Sequence, residues 1–150
     1  MPASPALDPR SPVSERVAVV IPTLNEAESI AAVISALPRY LVDQIIVADG
    51  GSTDGTPQIA RGAGAEVIAV GPGYGRACLA GAQAAGDADV LVFMDGDGAD
   101  DPSAIEGIVS ALRSGNYDSM TSLSVHAHAA SARPPAWQAI KFWPASSWAA

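Results

Sequence analysis

Short apolar runs rich in β-branched residues alternate along this chain with stretches of helical spacing, and the alternation repeats four times. Val17 to Ile21 reads as a first buried strand ended by Pro22, with Gln44 to Ala48, Ala65 to Val70 and Asp89 to Met94 as the next three. A helix is predicted after each. The first starts at an Asn25 N-cap, with Glu28 closing a capping box, and runs to about Leu37 before Pro38. The second covers about Pro57 to Gly62 and the third about Arg76 to Ala85. The fourth follows an Asp101 cap, takes Pro102 at its first position, where no N–H partner is needed, and runs to about Arg113. Four strand–helix units predict an α/β fold: a mostly parallel sheet in three layers, because right-handed crossovers place helices on both faces.

Two of the predicted strands stop at acids. Ile45-Ile46-Val47-Ala48 ends at Asp49, and Val90-Leu91-Val92-Phe93-Met94 ends at Asp95-Gly96-Asp97. Carboxylates at the C-terminal ends of buried parallel strands open on the crevice where such sheets bind ligands. The Asp95-x-Asp97 spacing lets two carboxylates reach one hard divalent cation, Mg2+ or Mn2+, shared with a diphosphate, and Gly96 lets backbone approach a phosphate. Asp49 is expected to accept hydrogen bonds from the base or ribose of a nucleotide. Ser52, Thr53, Asp54, Asp100 and Asp101 read as turn and cap residues, with Asp100 near enough in sequence to join the outer shell of the cation. The loop Gly71-Pro72-Gly73-Tyr74-Gly75 follows the third strand and lacks dinucleotide spacing, which disfavours a dehydrogenase.

Composition narrows the partners. A formal charge of −8 on 150 residues opposes binding to a phosphate backbone, so nucleic acid is not an expected partner. The one cysteine, Cys78, cannot form an internal disulfide and reads as a small buried group. No apolar run reaches the roughly 18 residues of a membrane span. Residues 1–16, rich in Pro and Ser, read as a disordered lead-in without a signal-peptide core. The expected location is cytoplasmic, at most peripheral to a membrane.

These residues together resemble the family 2 glycosyltransferases of GT-A fold, in particular the branch similar to dolichyl- or polyprenyl-phosphate mannosyl- and glucosyltransferases. The resemblance covers about Val17 to Asp118. It rests on four ordered motifs: Val-Val-Ile-Pro-Thr-Leu-Asn-Glu-Ala-Glu (19–28), Ile-Val-Ala-Asp-Gly-Gly-Ser-Thr-Asp-Gly-Thr (46–56), Gly-Tyr-Gly-Arg-Ala-Cys-Leu-Ala-Gly (73–81) and Phe-Met-Asp-Gly-Asp-Gly-Ala-Asp-Asp-Pro (93–102). It implies a Rossmann-like nucleotide-binding half in which Pro22, Glu26, Asp49 and Asp95 line the nucleotide side and Asp97 is the main metal ligand. The implied reaction is transfer from a nucleoside diphosphate sugar, with inversion at the anomeric carbon, to an acceptor such as a polyprenyl phosphate. Tyr74 departs from the family, many of whose members carry Lys there. Arg76 replaces that cation only if the loop turns it inward.

The pattern changes after Asp118. All sixteen acids and all fourteen glycines lie at or before that position, while residues 119–150 hold all three Trp and both His. His126 and His128 have ligand-like spacing but no acidic or Cys neighbour. Regrouping the codons of Met120 to Arg133 one base out of register permits Asp-Phe-Val-Val-Gly-Ser-Arg-Thr-Arg-Gly-Glu-Arg-Glu, the continuation such a family shows. The sequence therefore favours a displaced reading frame over a tail whose Trp137, Phe142, Trp143 and Trp148 enter a membrane interface. A chain of this kind is expected to keep part of a donor pocket and to transfer sugar poorly or not at all. The rival readings are a nucleotidyltransferase, disfavoured because Pro22 to Glu26 lacks a glycine- and base-rich triphosphate loop, and a non-catalytic remnant or interaction module.

Overall fold

The computed structural model describes residues 16–113 and 142–144. All four strand–helix units are present: β1 (Val17–Thr23), α1 (Ile30–Ala36), β2 (Gln44–Asp49), α2 (Thr56–Gly62), β3 (Glu66–Ala69), α3 (Tyr74–Ala84), β4 (Val90–Phe93) and α4 (Ala104–Arg113). The strand order is β3-β2-β1-β4-β5, and the first four strands are parallel. β5 (Phe142–Pro144) lies antiparallel on the outer edge of β4, Leu91 opposite Trp143, where the sequence pattern predicts no element. The other predictions for the two ends of the chain, including His126, His128 and the displaced frame, fall outside the described residues.

Alternation along the central strand builds two cores. Val17, Val19 and Ile21 of β1 turn to one face and pack with Ile30, Val33 and Ile34 of α1 and Ile105, Ile108 and Val109 of α4. Ala18 and Val20 turn to the other, against Ala82 and Ala85 at the end of α3. Val17 to Ile21 are wholly buried, as expected of a parallel strand covered on both sides. A Cβ on Gly81 would overlap the Val20 side chain, so α3 sits this close to β1 because residue 81 has none.

Several boundaries differ from the sequence prediction: β1 runs through Pro22 to Thr23, and α4 begins at Ala104 rather than Pro102. α1 begins at Ile30 rather than just after Asn25, and Glu28 closes no box with it. Asn25 instead takes a left-handed backbone (φ 55°), and its side-chain oxygen accepts a hydrogen bond from Thr53 N at 2.9 Å. The residue that looked like a local cap joins two loops. Cys78 is also less buried than expected, being mostly rather than fully covered. Among the described residues, no helix is long and apolar enough to cross a membrane.

Because β2 lies on one side of β1 and β4 on the other, the crossovers diverge at the carboxyl end of β1. A doubly wound sheet leaves its crevice at that switch point.

Candidate functional site

A cleft of about 360 Å3 opens there, a volume typical of small-molecule sites. The end of β1 contributes Pro22, Thr23, Leu24 and Glu26. The turn after β4 contributes Asp95, Gly96 and Asp97. Gly50 and the glycine loop, with Pro72, Gly73, Tyr74 and Ala77, close the far wall. Four of the five residues singled out from sequence, Pro22, Glu26, Asp95 and Asp97, therefore line one cavity.

Asp49 is the fifth, and it lies behind that wall. It is 4% exposed and saturated with donors. Oδ1 accepts from Thr23 Oγ1 at 3.0 Å and Ser52 Oγ at 2.6 Å, and Oδ2 accepts from Gly51 N at 3.1 Å and Ser52 N at 2.9 Å. Burial by itself would raise its pKa, but the Ser52, Gly51 and Thr23 hydrogen bonds outweigh it and hold the carboxyl below its usual value. The structure thus shows Asp49 knitting β2, β1 and the adjoining turn together.

Glu26 and Asp95 are in the opposite electrostatic condition. Burial raises the pKa of Glu26, and the charges of Asp97, Asp95 and Asp54 raise it further, against a weak Ser29 hydrogen bond. Burial likewise raises Asp95, helped by Asp100 and Asp97, while a hydrogen bond from the Tyr74 hydroxyl at 3.2 Å opposes the shift. The Tyr74 phenol is itself pushed up by burial and by the charge of Asp95, so it remains a donor. Sequence reasoning gave Tyr74 no such role, because a side chain on the loop after β3 meets the turn after β4 only in the fold.

The acidic turn is held from behind. Asp100 accepts from Asp95 N at 3.0 Å, so its expected turn role is observed, and Asp97 accepts from Ala99 N at 2.9 Å. Ser29 at the start of α1 donates to the Gly96 carbonyl at 2.6 Å. Gly96 is buried, and a Cβ there would lie 3.0 Å from Thr23 Cγ2 and 3.5 Å from Glu26 Cγ. Glycine at this position is thus explained by the close fit of the turn against β1. Arg76 is exposed and does not line the cleft.

The arrangement gathers negative charge without a neutralising cation: the described lining residues include no Lys, Arg or His. Its oxygens are hard donors, the kind that suit Mg2+ or Mn2+. Among the described residues, no three acids, His or Cys already stand as a complete metal cage. A cation here would need further oxygens from a ligand, as a diphosphate supplies.

Fold and cleft together define a Rossmann-like α/β domain with an acidic ligand crevice at its switch point. Residues 18–140 match the family model of glycosyl transferase family 2, and the chain belongs to that family. It is 37% identical over 108 residues to glycosyltransferase AglJ of Haloferax volcanii, covering 71% of this chain and 35% of that protein. It is 42% identical over 93 residues to glucosyl-3-phosphoglycerate synthase of Mycobacterium tuberculosis, covering 54% and 28%. A crystal structure of that M. tuberculosis synthase with Mn2+, UDP-glucose and phosphoglyceric acid superimposes with a TM-score of 0.57 at 34% identity, over 67% of this chain and 40% of that one. The chain spans less than half the length of these relatives.

Proposed function

We propose that this domain binds the donor of an inverting glycosyltransferase, a nucleoside diphosphate sugar, together with Mg2+ or Mn2+. The observation that carries the reading is the convergence of Glu26, Asp95 and Asp97, drawn from two separate strand ends, on one cleft where burial and neighbouring negative charge raise the pKa of the first two. A divalent cation fits that donor chemistry, with Asp97 as the main ligand and Asp95 beside it. When bound, the cation would stabilise the charge that develops on the departing diphosphate. Pro22 and Glu26 would border the nucleotide. Asp49 would act by fixing the turn through Gly51 and Ser52, whose neighbour Gly50 lines the cleft.

A solved relative supports this. The M. tuberculosis synthase was solved with Mn2+ and UDP-glucose, and its acceptor there, phosphoglyceric acid, carries a phosphate. A phosphate-bearing acceptor is common to that enzyme and to the polyprenyl-phosphate branch. We therefore assign the whole enzyme such an acceptor, with polyprenyl phosphate and peripheral association at the cytoplasmic face of a membrane as its specific form. A nucleotidyltransferase gains no support from the cleft, which has no basic residue among its described lining to hold a triphosphate.

Donor binding is the part of the reaction that these residues carry, so it is the part to test. Titration of UDP into the protein by calorimetry is expected to show binding that requires Mn2+ and is lowered at least about tenfold by Asp97→Ala, as removal of a metal-linked contact implies. Binding that ignores both Mn2+ and this substitution would overturn the metal-assisted donor site. No UDP binding in any condition would favour the non-catalytic reading.

A further inference from the structure

Glu26 enters the cleft from a backbone held on both sides. Its carbonyl accepts from Ser29 N at 3.1 Å and Ile30 N at 2.9 Å, where α1 begins, and its N–H donates to Thr56 Oγ1 at 2.9 Å. The flanking amides are held in the same way. Asn25 N donates to Ser52 Oγ at 2.8 Å, and Ala27 N to Asp54 Oδ2 at 3.0 Å. Three consecutive N–H groups on the loop after β1 thus end on three side chains from the turn after β2 and the first residue of α2.

The central link has a direction. A threonine hydroxyl owns one proton, and an ionised carboxylate only accepts. Thr56 Oγ1 gives its proton to Asp54 Oδ1, at 2.5 Å, which leaves an oxygen lone pair facing Glu26 N. Thr56 is wholly buried, so its own side chain is out of reach of bulk water. A local Asx turn explains the bond from Thr56 N to Asp54 Oδ1 at 3.0 Å. It does not explain the bonds at Glu26 and Ala27, which leave α2 and cross to the neighbouring strand end.

We propose that Thr56 and Asp54 are positioning residues for Glu26: they set where its carboxylate stands in the donor cleft, although neither lines that cleft. The inference rests on the proposed donor site. With both backbone groups of Glu26 fixed, only its side-chain torsions remain free, and losing the Thr56 contact releases the loop that aims them.

The test is Mn2+-dependent UDP binding by the 150-residue chain, measured by calorimetry for the wild type, Thr56→Val, Thr56→Ser, Glu26→Gln and the Thr56→Val/Glu26→Gln pair. Thr56→Val is expected to weaken UDP about tenfold, Thr56→Ser to recover to within about twofold, and Thr56→Val to add less than about twofold in the Glu26→Gln background. A merely structural role predicts the same loss in both backgrounds, and that additive result would overturn the proposal while leaving the donor site standing. An unweakened Thr56→Val overturns it too. Absence of wild-type binding removes the donor site and this proposal together. Should Thr56→Val fail to fold, Thr56→Ala in both backgrounds carries the same comparison, since it too removes the oxygen that accepts from Glu26 N without altering any charge.

Discussion

Asp49 and Asp95 end apolar strands on the same edge of one sheet, separated by β1, and in the amino-acid sequence they look alike. In the fold they are opposites. Asp49 is buried, accepts four hydrogen bonds and is held below its usual pKa. Asp95 faces the charges of Asp97 and Asp100, lines the cleft and is held above it. The residues just after each acid make the difference. Gly51 and Ser52 supply donors that fold back onto Asp49, whereas Asp97 and Asp100 supply only more negative charge. The first arrangement satisfies its charge internally, while the second leaves negative charge without matching protein donors.

The sharpest way to break this comparison is to remove the scaffold acid. Asp49→Ala leaves two hydroxyls and two backbone amides facing a buried void and is expected to destabilise the fold by about 3 kcal/mol, in the range for stranded partners of a buried charge. Urea denaturation would show a lowered midpoint with an unchanged slope. A variant that keeps wild-type stability and loses only UDP affinity would place Asp49 among the ligand contacts instead.

The two acids also show where sequence reasoning reached its limit. The four strands were legible because Val17 to Ile21, Gln44 to Ala48, Ala65 to Val70 and Asp89 to Met94 are apolar runs punctuated by Pro, Gly or acid, a local signal. That Asp95 and Asp97 would border the cleft was legible because strand ends meet at the switch point of such a sheet, whereas Pro22 and Glu26, which line it too, were reached only through the family resemblance. The role of Asn25 was not legible, since its partners Ser52 and Thr53 lie 27 and 28 positions away and Asn-x-x-Glu mimics a cap. Nor was the Thr23 hydroxyl on Asp49, a bond between adjacent strands set by the register that pairs Thr23 with Asp49. Phe142–Pro144 was missed because an edge strand of three residues carries no readable period.

The reverse substitution sharpens the contrast. Asp95→Asn removes one charge from a group that also includes Glu26, Asp97 and Asp100, and keeps an oxygen for the Tyr74 hydroxyl. The ligand-free protein is therefore expected to gain stability by about 0.5 kcal/mol, the scale of a partly exposed like-charge contact, while its Mn2+-dependent UDP binding falls. Opposite signs for Asp49→Ala and Asp95→Asn in the same denaturation assay would establish the division of labour. A loss of stability in Asp95→Asn would show that Asp95 too is scaffold.

The smallest expected effect is on pH dependence, where the two groups oppose each other. Asp49 and Asp54 sit below the usual aspartate value of 3.8, so an unfolded chain takes up their protons first. Their stabilisation is complete above that value and is lost as pH falls through their lowered native ones. Glu26 and Asp95 sit above their usual 4.5 and 3.8, so the native state takes up protons first there. As pH falls from neutrality through those raised values, protonation relieves the burial of charge on Glu26 and Asp95 and their repulsion with Asp97 and Asp100, and stability rises. For the ligand-free protein, the contribution of these four titrating groups should reach its maximum on the acid side of neutrality, with a rise of a few tenths of a kcal/mol before the fall. Comparing urea midpoints of wild type and Asp95→Asn across pH 3 to 8 isolates the rise: it should shrink in the variant, leaving the acid-side fall. An undiminished rise would mean that the cleft acids are already compensated in the ligand-free state, and the contrast between the two strand ends would lose its electrostatic basis.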